Sequence, residues 1–106
     1  MNPGKPEFYL TSLAEAYVAM GSYSQASVVL ERILSRRPQW LMARALLAVC
    51  YMHLGRKQDA VNAIAMINEQ SPRFSIRRWI GCIFYPHRAD VPDLMAALRD
   101  AGMQES

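Results

Sequence analysis

One internal repetition constrains this chain more than any other feature. The stretch AVCYMHLGRKQDAVNAIAMINEQSP, Ala48 to Pro72, repeats the pattern of AEAYVAMGSYSQASVVLERILSRRP, Ala14 to Pro38, 34 positions earlier. Ala14 recurs as Ala48, Tyr17 as Tyr51, Gly21 as Gly55, Ala26 as Ala60 and Pro38 as Pro72. Leu13 and Leu47 extend the match, and Leu30 with Ile64 and Ile33 with Ile67 keep the apolar type. Within each copy the apolar residues recur at three and four, the spacing of one helix face. A glycine divides each copy where a helix can end in the left-handed conformation. A proline follows where a helix must stop. Each copy is therefore two helices joined by a turn. Such a pair leaves one apolar face uncovered, so the copies must stack.

In chain order, residues 1–6 hold two prolines and a glycine and predict an extended lead-in. The first helix runs over about 7–20 and stops at Gly21. Ser22 with Gln25 three residues later has the form of a capping box for the second helix, which ends before Pro38. The second repeat covers about 41–74, with helices over 41–54 and 57–70. Ser71 and Pro72 suit the start of the next helix, as a cap and a first-turn proline. A third unit covers about 75–102. Tyr85 keeps the period, but Ala89 stands where the turn glycine is expected. A helix from Ser75 to about 84, an irregular connection bracketed by Pro86 and Pro92, and a last helix capped by Asp90 complete the chain. Leu94, Leu98 and Ala101 form the apolar face of that helix, and Gly102 is its stop. One domain over 7–106 is expected, with a degenerate last unit as the end of a stack requires.

The period of 34, with this order of small residue, Tyr, Gly, Ala and Pro, resembles the tetratricopeptide repeat. The resemblance implies an all-α fold: a right-handed α-solenoid of about three stacked antiparallel helix pairs. The small Ala14, Ala26, Ala48 and Ala60 let helix backbones approach. Tyr17 and Tyr51 fill the wedge beside each crossing.

Composition supports helix and narrows the chemistry. Apolar residues make up 52% of the chain, with Ala, Leu and Met, all strong helix formers, prominent among them. The net charge of +3 is an ordinary solubility charge. Arg32, Arg36 and Arg37 form one basic group, and Arg73, Arg77, Arg78 and Arg88 another. Neither a pairing with exposed aromatics nor a single helix face is clear in either group, which argues against nucleic acid as a partner. Cys50 and Cys82 lie inside apolar helical stretches, as reduced cytoplasmic thiols do. No apolar run reaches membrane-spanning length, and the N-terminus has no secretory core.

No recognised catalytic motif is present, so no enzyme activity and no cofactor are expected. Cys50, His53, Cys82 and His87 are the one candidate metal set, but their spacing is not a zinc spacing. Asp90, Asp93 and Asp100 suit a cap and a solvated helix face. What remains is a groove. In tetratricopeptide arrays the first helix of each pair lines the concave surface. Carried over, the resemblance implies a lining of Phe8, Thr11, Glu15, Val18 and Ala19 in the first repeat. The second repeat adds Met42, Ala45, Val49, Met52 and His53, and the third Ile76, Trp79 and Ile83. Relatives that bind acidic C-terminal peptides use Lys, Asn and Arg there. Here Thr11, Glu15, Leu46 and Ile76 stand near those places. An apolar, Met-containing face suits an apolar peptide, a helix or a neighbouring domain. A homodimer contact or the chain's own tail is the other way to cover it. Trp40 is expected at the repeat junction. Trp79 is either a binding anchor or a contact with the last helix.

The last third carries a second resemblance. Pro72, Phe74, Arg77, Tyr85–Pro86, Asp93 and Leu98-Arg99-Asp100-Ala101-Gly102 resemble the C-terminal end of tetratricopeptide segments in bacterial class III adenylate or guanylate cyclases and some winged-helix regulators. It implies a regulatory or dimerisation module of a larger protein. The residues themselves point to a non-catalytic scaffold for protein–protein contacts.

Overall fold

The computed structural model describes the backbone of residues 6–82 and 91–104, and side chains over 9–79 and 92–104. Expectations placed on Ile83, Tyr85, Pro86, His87, Ala89 and Asp90, and on the side chains of Phe8 and Cys82, lie outside the described residues. Six helices occur in order among those described: α1 Pro6–Ala19, α2 Tyr23–Arg36, α3 Leu41–His53, α4 Lys57–Gln70, α5 Ile76–Cys82 and α6 Val91–Asp100. The protein is all-α and tetratricopeptide-like. The hairpins α1–α2 and α3–α4 pack closely, and α2 lies along α3 to join them.

The repeated residues occupy repeated environments. Ala14, Ala26, Ala48 and Ala60 are all fully buried, where a longer side chain would hold the helices apart. Gly21 and Gly55 have φ of 78° and 77°. Both turns close the same way. Ser22 N–H donates to the Tyr17 carbonyl (2.8 Å) and Gly21 N–H to that of Val18 (3.0 Å). Arg56 N–H donates to Tyr51 (2.8 Å) and Gly55 N–H to Met52 (3.3 Å). This pair of bonds satisfies carbonyls that a helix end leaves open, in the Schellman arrangement. A third copy ends α6, with Met103 N–H on Leu98 (2.9 Å), Gly102 N–H on Arg99 (3.1 Å) and Gly102 at φ 106°. Nothing lies within 4 Å of a Cβ built on Gly55, so Gly55→Ala meets backbone strain alone. It is expected to cost about 1 kcal/mol in urea unfolding. A loss indistinguishable from zero would contradict the turn geometry.

Three local expectations are corrected. Ser22 makes no side-chain cap bond. A capping box needs the N–H of its first residue to be free for the side chain three positions on. Ser22 has already given that N–H to Tyr17 as the last link of the preceding turn. Pro72 does not open the next helix, and Pro38 sits in the same kind of place. Each sits second in a tight turn, closed by Trp40 N–H on Arg37 (3.1 Å) and by Phe74 N–H on Ser71 (3.0 Å), where the fixed φ of proline fits. The cap of α5 is Ser75, not Ser71: its hydroxyl accepts from Arg78 N–H at 3.2 Å.

The third unit departs from the first two. α5 packs more against α6 and α3 than against α4, and α6 lies on α3 more extensively than α5 does. The last helix has thus crossed to the first-helix side of the second repeat.

Candidate functional site

The candidate surface is the first-helix side of the array, where α1, α3 and α5 come together. α3 supplies its centre. Its sequence LMARALLAVCYMH is apolar almost all round, as a helix flanked on several sides requires. Eight of its thirteen residues, Ala43 and Ala45 to Tyr51, are buried. Arg44 reaches out of the helix, donating from Nη2 to the Pro38 carbonyl (2.8 Å) and from Nη1 to the Met66 sulfur (3.5 Å). It ties the inter-repeat turn to both helices of the second repeat.

Of the groove residues expected from the sequence, those described lie on α1, α3 and α5, and few of them remain open. Thr11, Glu15 and Val18 are buried on α1, and Ala45 and Val49 are fully buried on α3. Met42 and Met52 are half-buried, and His53 and Ala19 are exposed. Ile76 and Trp79 are fully buried, so neither is surface. Trp79 is an internal contact: its indole Nε1–H donates to the Met42 carbonyl at 3.3 Å. Trp40 is half-buried against the core at the repeat junction.

What covers this side is α6. Leu94, Leu98, Ala101 and Met103 are buried beneath it. The segment after Gly102 adds a polar closure: Ile76 N–H donates to the Gln104 carbonyl (2.9 Å), and Gln104 Nε2 to the carbonyls of Phe74 (2.8 Å) and Pro72. A cleft of about 260 Å³ remains between the helices, lined by Met52, His53, Asp93, Ala96, Ala97 and Asp100. At its α3 end the His53 ring stacks on Tyr23, centroids 4.0 Å apart and 11° from parallel. His53 Nδ1 lies 3.0 Å from the Val49 carbonyl. The role of α6 was not visible in the sequence beyond its own apolar face, because which helix it meets depends on a chain crossing with no local signal.

Two side chains of α3 hold their protons unusually tightly. Burial pushes the Cys50 thiol up from its ordinary 9.0 to about 12. Burial, followed by the bond to the Glu31 carboxylate, pushes the Tyr51 hydroxyl up from 10.0 to about 12. That hydroxyl donates to Glu31 Oε2 at 2.6 Å, and the Arg56 guanidinium lies 4.3 Å over the ring. Both folded-state values exceed the unfolded ones, so the unfolded chain releases these protons first. Their contribution to stability is therefore complete below about pH 9 and declines as pH climbs toward about 12. The expected result is a Cys50→Ala/Tyr51→Phe variant whose urea midpoint falls less steeply than wild type above about pH 9. Parallel decline in the two proteins would contradict it. A protonated, buried thiol is a packing group and not a nucleophile.

Among the described residues no group of three or more His, Cys, Asp or Glu is placed to hold a metal ion, and no helix is long and apolar enough to cross a membrane. A family model described as "Anaphase-promoting complex, cyclosome, subunit 3" matches residues 1–67, a stretch that takes in α1 to α3 and most of α4. No curated protein and no solved structure matches the chain.

Proposed function

The chain belongs to the anaphase-promoting complex, cyclosome, subunit 3 family, a family of tetratricopeptide-like repeats, and from that premise we propose that it is a non-catalytic scaffold whose first-helix side takes an apolar helix of a partner protein or of a neighbouring domain. The observation that carries this reading is that the side of α3 bearing Ala45, Val49 and Met52 already has a helix, α6, lying against it. A surface that packs one amphipathic helix has the ridges and grooves to pack another. The residues that would meet a partner are those still open at the edge of the present contact: Met42, Met52 and His53; Thr11, Glu15, Val18, Ile76 and Trp79 lie buried behind them. A photo-crosslinking amino acid in place of Met52 is expected to capture a partner, and one in place of Asn62, exposed on α4, is not. Adducts from position 62 alone, or equally from both, would remove the first-helix side as the binding surface.

A second reading, a regulatory or docking module of a bacterial nucleotide cyclase or transcription regulator, is favoured by the other end of the array. Tyr9 and Met20 are 70% and 67% exposed and lie about three helical turns apart, on the same face of α1 and its extension. Large apolar side chains in such a row suit contact with an adjoining domain or a second copy.

A further inference from the structure

We infer that α6 and its tail are a displaceable occupant of the α3 surface, and that the partner which replaces them is an amphipathic helix of the same chemistry: Leu at one position, Leu four on, a small residue three beyond that, and carboxylates at its edge. This rests on the reading of the first-helix side as a helix-binding surface.

The chemistry of the occupant is read from α6 itself. Leu94, Leu98 and Ala101 fall on one stripe and are buried, while Asp93, Ala96 and Asp100 face the cleft or water. With only ten residues, α6 has little helical stability of its own; its order depends on α3. The polar tie of its tail is confined to one residue. Among the described residues, the hydrogen bonds that tie the tail back to the start of α5 all involve Gln104. Gln104 is exposed, and its two side-chain bonds are together modest, enough for about a tenfold change in the balance between seated and released tail. The helix also leaves its seat incompletely filled. The cleft beside Met52 and His53 gives an incoming helix a first contact before α6 has left. Asp93 and Asp100 already share that cleft with the imidazole, so carboxylates at the edge of the incoming helix suit it. The neighbouring helices show the contrast: α4 and α2 lie along α3 far more extensively than α6 does.

The test uses the full chain and a fluorescein-labelled peptide with the sequence of residues 91–103, which lacks Gln104 and cannot replace its bond to Ile76. Gln104→Ala loosens the tail without touching the core. It is expected to bind the peptide about tenfold more tightly than wild type, with a circular dichroism melt that stays cooperative and a monomeric elution volume. Adding Met52→Glu is expected to reverse that gain. In wild type, saturating peptide is expected to speed amide exchange at Ile76, whose N–H is released when Gln104 departs. Equal affinity of wild type and Gln104→Ala, with Ile76 exchange unchanged, overturns displacement while leaving the binding surface standing. No binding by either protein overturns both. A gain that appears only with dimeric elution overturns the partner assignment in favour of exchange of α6 between two copies.

Discussion

Trp79→Ala is expected to lower the unfolding free energy by about 3–5 kcal/mol, the range for removing a fully buried large aromatic side chain. For a domain whose total stability lies in the order of 5–15 kcal/mol, that is a large share. Trp79 is 0% exposed and sits where α5 meets the start of α3, its indole nitrogen bonded to Met42. The loss combines apolar burial, a cavity between α5 and α3, and the indole hydrogen bond. Urea unfolding followed by circular dichroism measures it. Trp79→Phe separates the parts: it keeps much of the apolar surface and gives up the indole bond, so it is expected to cost clearly less. If Trp79→Ala cost under about 1 kcal/mol, Trp79 would not be buried in solution and would return as a candidate for direct partner contact.

The second large effect is overpacking at the hairpin crossings. Ala26→Leu and Ala60→Leu are each expected to cost about 1–3 kcal/mol, because added methylenes in a filled core force neighbours off their rotamers. Both alanines are fully buried at equivalent places in α2 and α4, so the two costs are expected to be similar. They are also expected to add, since the sites are in different hairpins. Unchanged melting in both variants would contradict the close approach of the helices. A cost at one site only would show that the two repeats are not equivalent in packing.

The repeated part of the fold was legible because repetition tests itself. A glycine such as Gly21 has many uses, but Gly21 and Gly55 at one interval and after the same Tyr allow only a use that recurs, the turn. The same holds for the four crossing alanines. What was not legible depended on residues far away or already committed. Ser22 and Gln25 have the capping-box letters, yet the Ser22 N–H belongs to the helix before it, and no local pattern records that. Ser71 and Ser75 are both plausible caps in sequence; the turn at Pro72 decides for Ser75 by delaying the start of α5. The candidate surface was half legible. The repeat assigned its residues to the first helices but carried no measure of their exposure: Thr11, Glu15, Ile76 and Trp79 are all buried, against neighbours that no local pattern records. An apolar face in a sequence says that something covers it and leaves the cover unnamed.

The crossing of α6 onto α3 also gives the molecule a direction of growth. An open solenoid has two free ends, and a repeat can be appended to either. Here the end beyond α4 is spoken for, since the chain turns back across the array and does not offer α5 and α6 as a fresh platform. At α1 the row containing Tyr9 and Met20 is still uncovered. An engineered repeat grafted ahead of Pro6 would find apolar surface to stack on, whereas one grafted after Gln104 would meet a chain already folded back onto α3. The chain is a polar building block, with one face for extension and one for termination.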